Sequence, residues 1–247
     1  METTSDKLVR EFASAGKLRA SINLGNPILA RQPAPSAKPA GVSVDLATEF
    51  ARRLGVEIEL VLFDAAGKAA EALKNRDVDI GFVALDPLRG EGIRFSHPYV
   101  QIEGSYLVRA GSPVASNDDV DQLGNRVTVG AGSAYDLHLS RSLKHAQIVR
   151  APTSPTVVDT FIEQQLEVAA GVRQQLEHDA QRFPGLRVLD GRFMVINQAM
   201  GIPGQYSDEA WRFLSAFIEE MKQTGFVARS LAHHRIDGAV VAPAAPL

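Results

Sequence analysis

In the stretch DIGFVALDPLRGEGIRFSHPYV, residues 79–100, an arginine follows the apolar run Ile80–Ala84 after a break at Asp86-Pro87. An arginine just past the carboxyl end of a parallel strand lies where open α/β sheets bind ligands. Its planar fork suits a carboxylate held through two parallel hydrogen bonds. The alternative for Arg89 is a surface arginine paired with Asp86 or Glu91. His97-Pro98-Tyr99 reads as a second break, ahead of the apolar run Tyr106-Leu107-Val108.

A second candidate is VTVGAGSAYDLHLSRSLK, residues 127–144. A strand, a Gly-rich turn and a Ser-capped helix would leave backbone N–H groups free at Ser133, Ala134 and Tyr135. Such a terminus attracts anions through its unpaired donors and the helix dipole. The alternative is a tight turn with no ligand. The stretch has neither the Gly-Lys-Ser/Thr of a phosphate-binding loop nor a dinucleotide-binding GxGxxG.

Other chemistries find less support. The six histidines show no metal-ligand spacing, and no HExxH occurs. No GxSxG is present, because the glycine two residues after Ser133 is missing. LEHDAQ and FIEEMK read as solvated helix faces. The formal net charge of −3 excludes the basic excess expected of a nucleic-acid binder. Cysteine is absent, which excludes disulfides, thiolate metal sites and a cysteine nucleophile. No cofactor is implied.

The elements that would position these residues follow an α/β pattern. Strands are expected at 17–24, 58–62, 80–84, 106–109, 126–130, 148–150, 168–172, 186–189 and 193–200. Helices are expected at 44–54, 69–73, 133–143, 154–165 and 173–181, and after Ser207 up to Gly225. Ser154-Pro155 has the form of an N-cap followed by proline at the first helical position. RQPAPSAKPAG, residues 31–41, forms a Pro/Ala-rich loop, and the closing GAVVAPAAPL reads as frayed. No run approaches the roughly 18 apolar residues of a membrane span. The amino-terminal METTSDKLVREF mixes both charge signs and lacks a signal peptide's apolar core. Either the protein stays in the cytoplasm, or the sequence begins after a removed leader and the protein is periplasmic. The pattern restarts at Tyr106, which suggests two α/β units. Lobe one is expected from 1–104 plus 199–247 and lobe two from 105–198.

GVSVDLATEFARRLG, VDIGFVALDPLRGEGIRFSHPYV, YLVRAGSP and VTVGAGSAYD occur in that order. Together they resemble the amino-acid-type periplasmic solute-binding proteins of ABC transporters. Phe95-Ser96-His97-Pro98-Tyr99, at its distance from Arg89, is the most specific part. The resemblance implies an α/β, two-lobed periplasmic-binding-protein-like fold (type II) with two strands crossing between the lobes. It implies that Arg89 grips a ligand carboxylate, with Asp86 where the family usually has threonine. Gly81, Phe82 and Ala84 would line the cleft, and Asn23 and Asn26 would lie in the first loop beside it. Ser133, Ala134 and Tyr135 match the carboxylate site of lobe two.

One departure bears on the ligand. Relatives that bind α-amino acids usually place an aspartate in lobe two against the ligand ammonium, within Asp-Ala-x-x-x-Asp. Here the stretch reads LEVAAGVRQQL, with Glu167 first and Val172 or Arg173 second. Either Asp86 or Glu167 replaces that partner, or Arg173 points inward and favours an anionic ligand without a free ammonium. The function so implied is capture of a small carboxylated ligand for an ABC transporter permease, by a monomer and without bond chemistry. Two alternatives stay open: a cyclohexadienyl-dehydratase-like enzyme on the same fold, with Glu167 as its nearest acid, and a cytoplasmic ligand sensor.

Overall fold

The computed structural model describes residues 4–14 and 16–245. Its first element is a helix, α1 (Thr4–Phe12), and β1 (Lys17–Asn23) follows. The chain continues through α2 (Val42–Leu54), β2 (Glu57–Phe63), α3 (Ala66–Lys74), β3 (Ile80–Ala84) and the long β4 (Ile93–Arg109). Then come β5 (Arg126–Gly130), α4 (Ala134–Ser142), β6 (Gln147–Ala151), α5 (Val157–Glu163), β7 (Val168–Val172), α6 (Arg173–Arg182) and β8 (Leu186–Val188). The last elements are β9 (Met194–Pro203), α7 (Asp208–Gln223), α8 (Phe226–His233) and β10 (Val240–Val241).

The chain divides into two compact units, Met1–Gln101 with Asn197–Leu247, and Ile102–Ile196. β4 and β9 each run from one unit into the other.

In the first unit β1 lies between β2 and β3, parallel to both, and β9 closes on β3 antiparallel. All five residues of β3 are buried, as expected of a strand covered on both faces. Its sequence, IGFVA, therefore lacks the polar alternation of a half-exposed strand. α2 ends at Gly55, whose left-handed backbone (φ 69°) lets its amide bond the carbonyls of Ala51 and Arg52. The core is aromatic. Phe50 meets Phe12 and Phe217 edge-on, each at 5.0 Å between ring centroids, and Phe12 meets Tyr206 at 5.6 Å. That cluster explains α1: a short helix of mixed charge is marginal alone and is held by the ring it buries.

In the second unit the strand order is β6-β5-β7-β4, with β5 parallel to β6 and β7, while β4 runs antiparallel to β7. β8 adds to the outer end of β4 through Leu107–Arg109. Leu107, Val157, Phe161, Leu166 and Leu176 form its core.

Several expectations need correction. His97-Pro98 does not break the chain, because both lie inside the continuous β4. Pro98 lends its carbonyl to Lys222 Nζ at 3.2 Å, and a proline is tolerated in a strand where no ladder donor is needed. The helix expected from Ser154 begins as a single tight turn, Ser154–Thr156, capped by Thr153. The hydroxyls of Thr153 and Thr156 lie 3.2 Å apart, and Pro155 sits in the first turn. The closing segment is not frayed where it is described: β10 pairs with Val100 and Gln101 of β4, and Ala242 is buried. α8 was not anticipated.

Candidate functional site

The candidate residues of the first unit gather at the carboxyl end of β3. Leu85 N donates to Asn197 O at 2.8 Å, which extends the ladder one residue past the strand. Asp86 then builds the turn. Its Oδ1 accepts from Leu88 N at 2.9 Å, and its carbonyl accepts from Arg89 N at 3.0 Å and Gly90 N at 3.1 Å. A side chain that accepts from the amide two residues on is a local turn former, and Pro87 supplies a fixed φ at the next position. The turn reverses the chain so that Arg89 Nη1 donates to Ala84 O at 3.1 Å.

The guanidinium is deeply enclosed. Arg89 is 4% exposed and Asp86 9% exposed. Burial pushes the Arg89 pKa down to about 10, and the nearby Asp86 charge only partly opposes this. Removal from water penalises the charged form more than the neighbours restore it. At neutral pH the group stays cationic, and its bond to Ala84 O fixes its place.

The loop after β1 is organised by Asn23, whose Oδ1 accepts from Gly25 N at 2.9 Å. Asn26 N returns to Asn23 O at 3.3 Å. The Oδ1 of Asn26 is enclosed and has no donor among the described residues. A buried acceptor of this kind carries a desolvation cost until a donor arrives.

Gly81 and Phe82 have packing duties. A Cβ on Gly81 would lie 3.2 Å from Leu73 Cδ2 and 3.4 Å from Ser21 Cβ, so this position faces α3. Phe82 is 3% exposed and meets Tyr99 edge-on at 6.0 Å. Ala84 contributes through the carbonyl that Arg89 grips.

In the second unit Ser133 caps α4, its Oγ accepting from Asp136 N at 3.0 Å. The expectation of a free amide at Ser133 is corrected, since Ser133 N donates to Gly130 O at 3.0 Å. Asp136 is buried in the first turn, and its Oδ2 accepts from Gly132 N at 2.9 Å. Arg150 pairs with Asp136 at 3.0 Å. The positive end of α4 thus already holds one carboxylate, which compensates much of the dipole. The amides of Ala134 and Tyr135 remain as the donors of this turn. Burial pushes the Tyr135 pKa up, opposed by hydrogen bonds from Ser154 and Ser133.

Arg173 opens α6, as its sequence position suggests, but within the second unit it is engaged. Nε donates to Glu103 Oε2 at 3.0 Å, Nη2 donates to Gly191 O, and Nη1 lies 3.8 Å from Glu177. Arg192 reaches the same Glu103 at 2.6 Å. The two arginines hold the Glu103 carboxyl below its usual range. Glu103 was not singled out from sequence, because it lies 70 residues from Arg173 and carries no local motif.

Glu167 accepts from Arg126 N at 2.9 Å, Nε at 2.8 Å and Nη2 at 2.8 Å. Arg126 holds its pKa below the carboxylate range. A general acid must carry a proton at working pH, so Glu167 is ill suited to that role. Among the described residues no group of three or more His, Cys, Asp or Glu is placed to hold a metal ion.

A family model described as bacterial extracellular solute-binding proteins, family 3, matches residues 26–234. Among solved structures, a mutant of ArgBP from T. maritima superposes with a TM-score of 0.77 at 20% identity, covering 92% of this chain and 98% of that one. The amino acid ABC transporter substrate-binding protein AbpA from Streptococcus pneumoniae, bound to L-arginine, gives 0.77 at 19% identity, covering 90% and 95%. The ancestral amino-acid-binding protein AncCDT-1, a precursor of cyclohexadienyl dehydratase, gives 0.75 at 19%, covering 94% and 99%. A membrane-bound lytic murein transglycosylase F of Shewanella sp. (strain W3-18-1) is 25% identical over 196 residues, 75% of this chain. The chain spans 40% of that relative's length.

Proposed function

The chain belongs to the bacterial extracellular solute-binding proteins, family 3, and from that premise we propose that it captures a small carboxylated ligand for delivery to an ABC transporter permease. The ligand is an amino acid or a related organic acid. In this reading the protein acts as a monomer in the periplasm and carries out no bond chemistry.

One observation carries the reading. Arg89 is almost fully buried at the carboxyl end of β3, where the turn at Asp86 fixes it, and burial penalises its charged form. A carboxylate accepting from its fork would relieve that cost, which is what an anion anchor requires. Asp86 shapes the turn that aims it. Asn23 and Asn26 offer amide groups from the loop after β1. The amides of Ala134 and Tyr135 form a second contact for an anion, of lower strength than a bare helix terminus because Asp136 already sits there.

The ligand class follows from the second unit. Arg173 and Arg192 share Glu103, and the first turn of α6 contributes no acidic residue of its own where an ammonium partner would be expected. We propose a preference for dicarboxylates, or for carboxylates without a free ammonium, over cationic and neutral amino acids. Calorimetric titration of the protein and of Arg89→Met with glutamate, 2-oxoglutarate, glutamine and arginine tests both parts. A loss of about 2–5 kcal/mol of affinity in Arg89→Met, with the fold intact, supports the anchor.

A sensor role is the second reading. The curated relatives are longer chains named for a murein reaction and not for transport. A dehydratase role is weakened by the ionised, Arg126-bound state of Glu167.

A further inference from the structure

The second unit contains a cavity of about 450 Å³ lined by Arg109, Gly111, Ser112, Pro113, Val114, Asn125, Leu166 and Glu167. Its volume falls within the range of small-molecule sites, roughly 300–1,000 Å³. Asn125 and Leu166-Glu167 immediately precede β5 and β7, so the cavity lies at the amino ends of these parallel strands. The turn of Gly130 to Tyr135 lies at the opposite, carboxyl end. β5 has five residues, and at about 3.3 Å per residue the two ends are about 15 Å apart.

The polar content of the cavity is asymmetric. Glu167 is neutralised by Arg126, and Asn125 donates from Nδ2 to the carbonyls of Asp119 and Val120 at 3.0 and 2.9 Å. Arg109 is different. Its guanidinium carbon lies 4.4 Å from the centroid of the buried Phe161 ring, and Nη1 donates to Leu166 O. Among the described residues no carboxylate stands within ion-pair reach of Arg109. Of its five N–H donors, one is used by this carbonyl. A guanidinium fixed by a ring and a backbone carbonyl is pre-organised for a carboxylate. The walls around it, Pro113, Val114 and Leu166, are apolar.

From this juxtaposition we propose that the second unit holds a second ligand site, built on Arg109, for a small monocarboxylate with a compact apolar body. The carboxylate pairs with the guanidinium and the apolar body fills the space between Pro113, Val114 and Leu166. The site is separate from Arg89 and does not depend on the function proposed above.

The test uses amide-resolved NMR titration of the full chain with benzoate and 4-methylpentanoate, and with benzamide as the neutral control. Both anions should shift the amides of Gly111, Val114, Asn125 and Leu166 with a dissociation constant on the order of 1 mM, as suits so few atoms. Benzamide should bind about tenfold more weakly, the loss expected for one missing charge pair. Arg109→Gln should weaken the anions by a similar factor. Because that change also touches Phe161, a second variant is needed. Gly111 lines the cavity, and a Cβ there meets nothing within 4 Å, so Gly111→Phe should obstruct the cavity and abolish the shifts, with the fold checked by its amide spectrum. Arg89→Met should leave them unchanged. The proposal is overturned if neither anion shifts these amides, if benzamide binds as well as benzoate, if Gly111→Phe binds like the parent, or if Arg89→Met removes the shifts.

Discussion

Arg89 Nη1 donates to the carbonyl of Ala84 at 3.1 Å, so the side chain folds back onto the end of the strand it follows. Strand, turn and guanidinium form one unit, in which Asp86 fixes the turn and the turn fixes the charge. Asp86→Ala removes the acceptor for Leu88 N. It also removes the charge that partly offsets the burial of Arg89, so ligand affinity should fall about tenfold through misplacement of Arg89 and the thermal midpoint should fall as well. Calorimetry and thermal melts on the same variant check it.

Asp79 is 2% exposed and accepts from Arg19 N and Nε, Arg19 Nη2 and the Tyr206 hydroxyl. Arg19 is partly exposed, so removing Asp79 chiefly leaves the Arg19 amide and the Tyr206 hydroxyl without their acceptor, at a cost of about 1–3 kcal/mol. Asp79→Ala should lose this much stability in urea unfolding, and Tyr206→Phe much less.

Gly41 precedes α2 with φ 138°, and a Cβ there would meet Leu29 O at 2.3 Å. Neither the backbone conformation nor the space admits a side chain. Gly41→Ala should destabilise the first unit by more than about 2 kcal/mol, read by denaturant unfolding. Gly111→Ala, in open space, should change stability by less than about 0.5 kcal/mol.

Glu49 is held at a pKa of about 2 by hydrogen bonds from Arg52 and Arg53. Its folded pKa lies below the ordinary value near 4.3, so its contribution is present above that value. It is lost as pH falls through the interval down to about 2. The pair is partly solvated, and its worth is about 1 kcal/mol or less. Urea midpoints should therefore drop between these limits, and Glu49→Gln should flatten that part of the curve.

Much of the first unit was legible because its signals are local. The Asp86-Pro87 turn, the buried run of β3 and the Ser207 and Gly225 ends of α7 all sit within a few residues of what they determine. The failures have non-local causes. α1 is held by Phe12 against Phe50 and Tyr206, distant in the chain. β4 passes through Pro98 because β10, Lys222 and β9 hold that segment from outside it. The free amide expected at Ser133 is taken by Gly130 O, a detail of turn geometry that composition does not encode. Arg173 was visible, but its partner Glu103 was not.

The most direct measurement is calorimetric titration of glutamate and 2-oxoglutarate into the parent protein and Arg89→Met, beside glutamine and arginine. The account predicts that the dicarboxylates bind the parent more tightly than glutamine or arginine. Arg89→Met should lose about 2–5 kcal/mol of that affinity while keeping its far-ultraviolet spectrum. Undiminished binding in folded Arg89→Met would contradict the assignment of Arg89 as the carboxylate anchor.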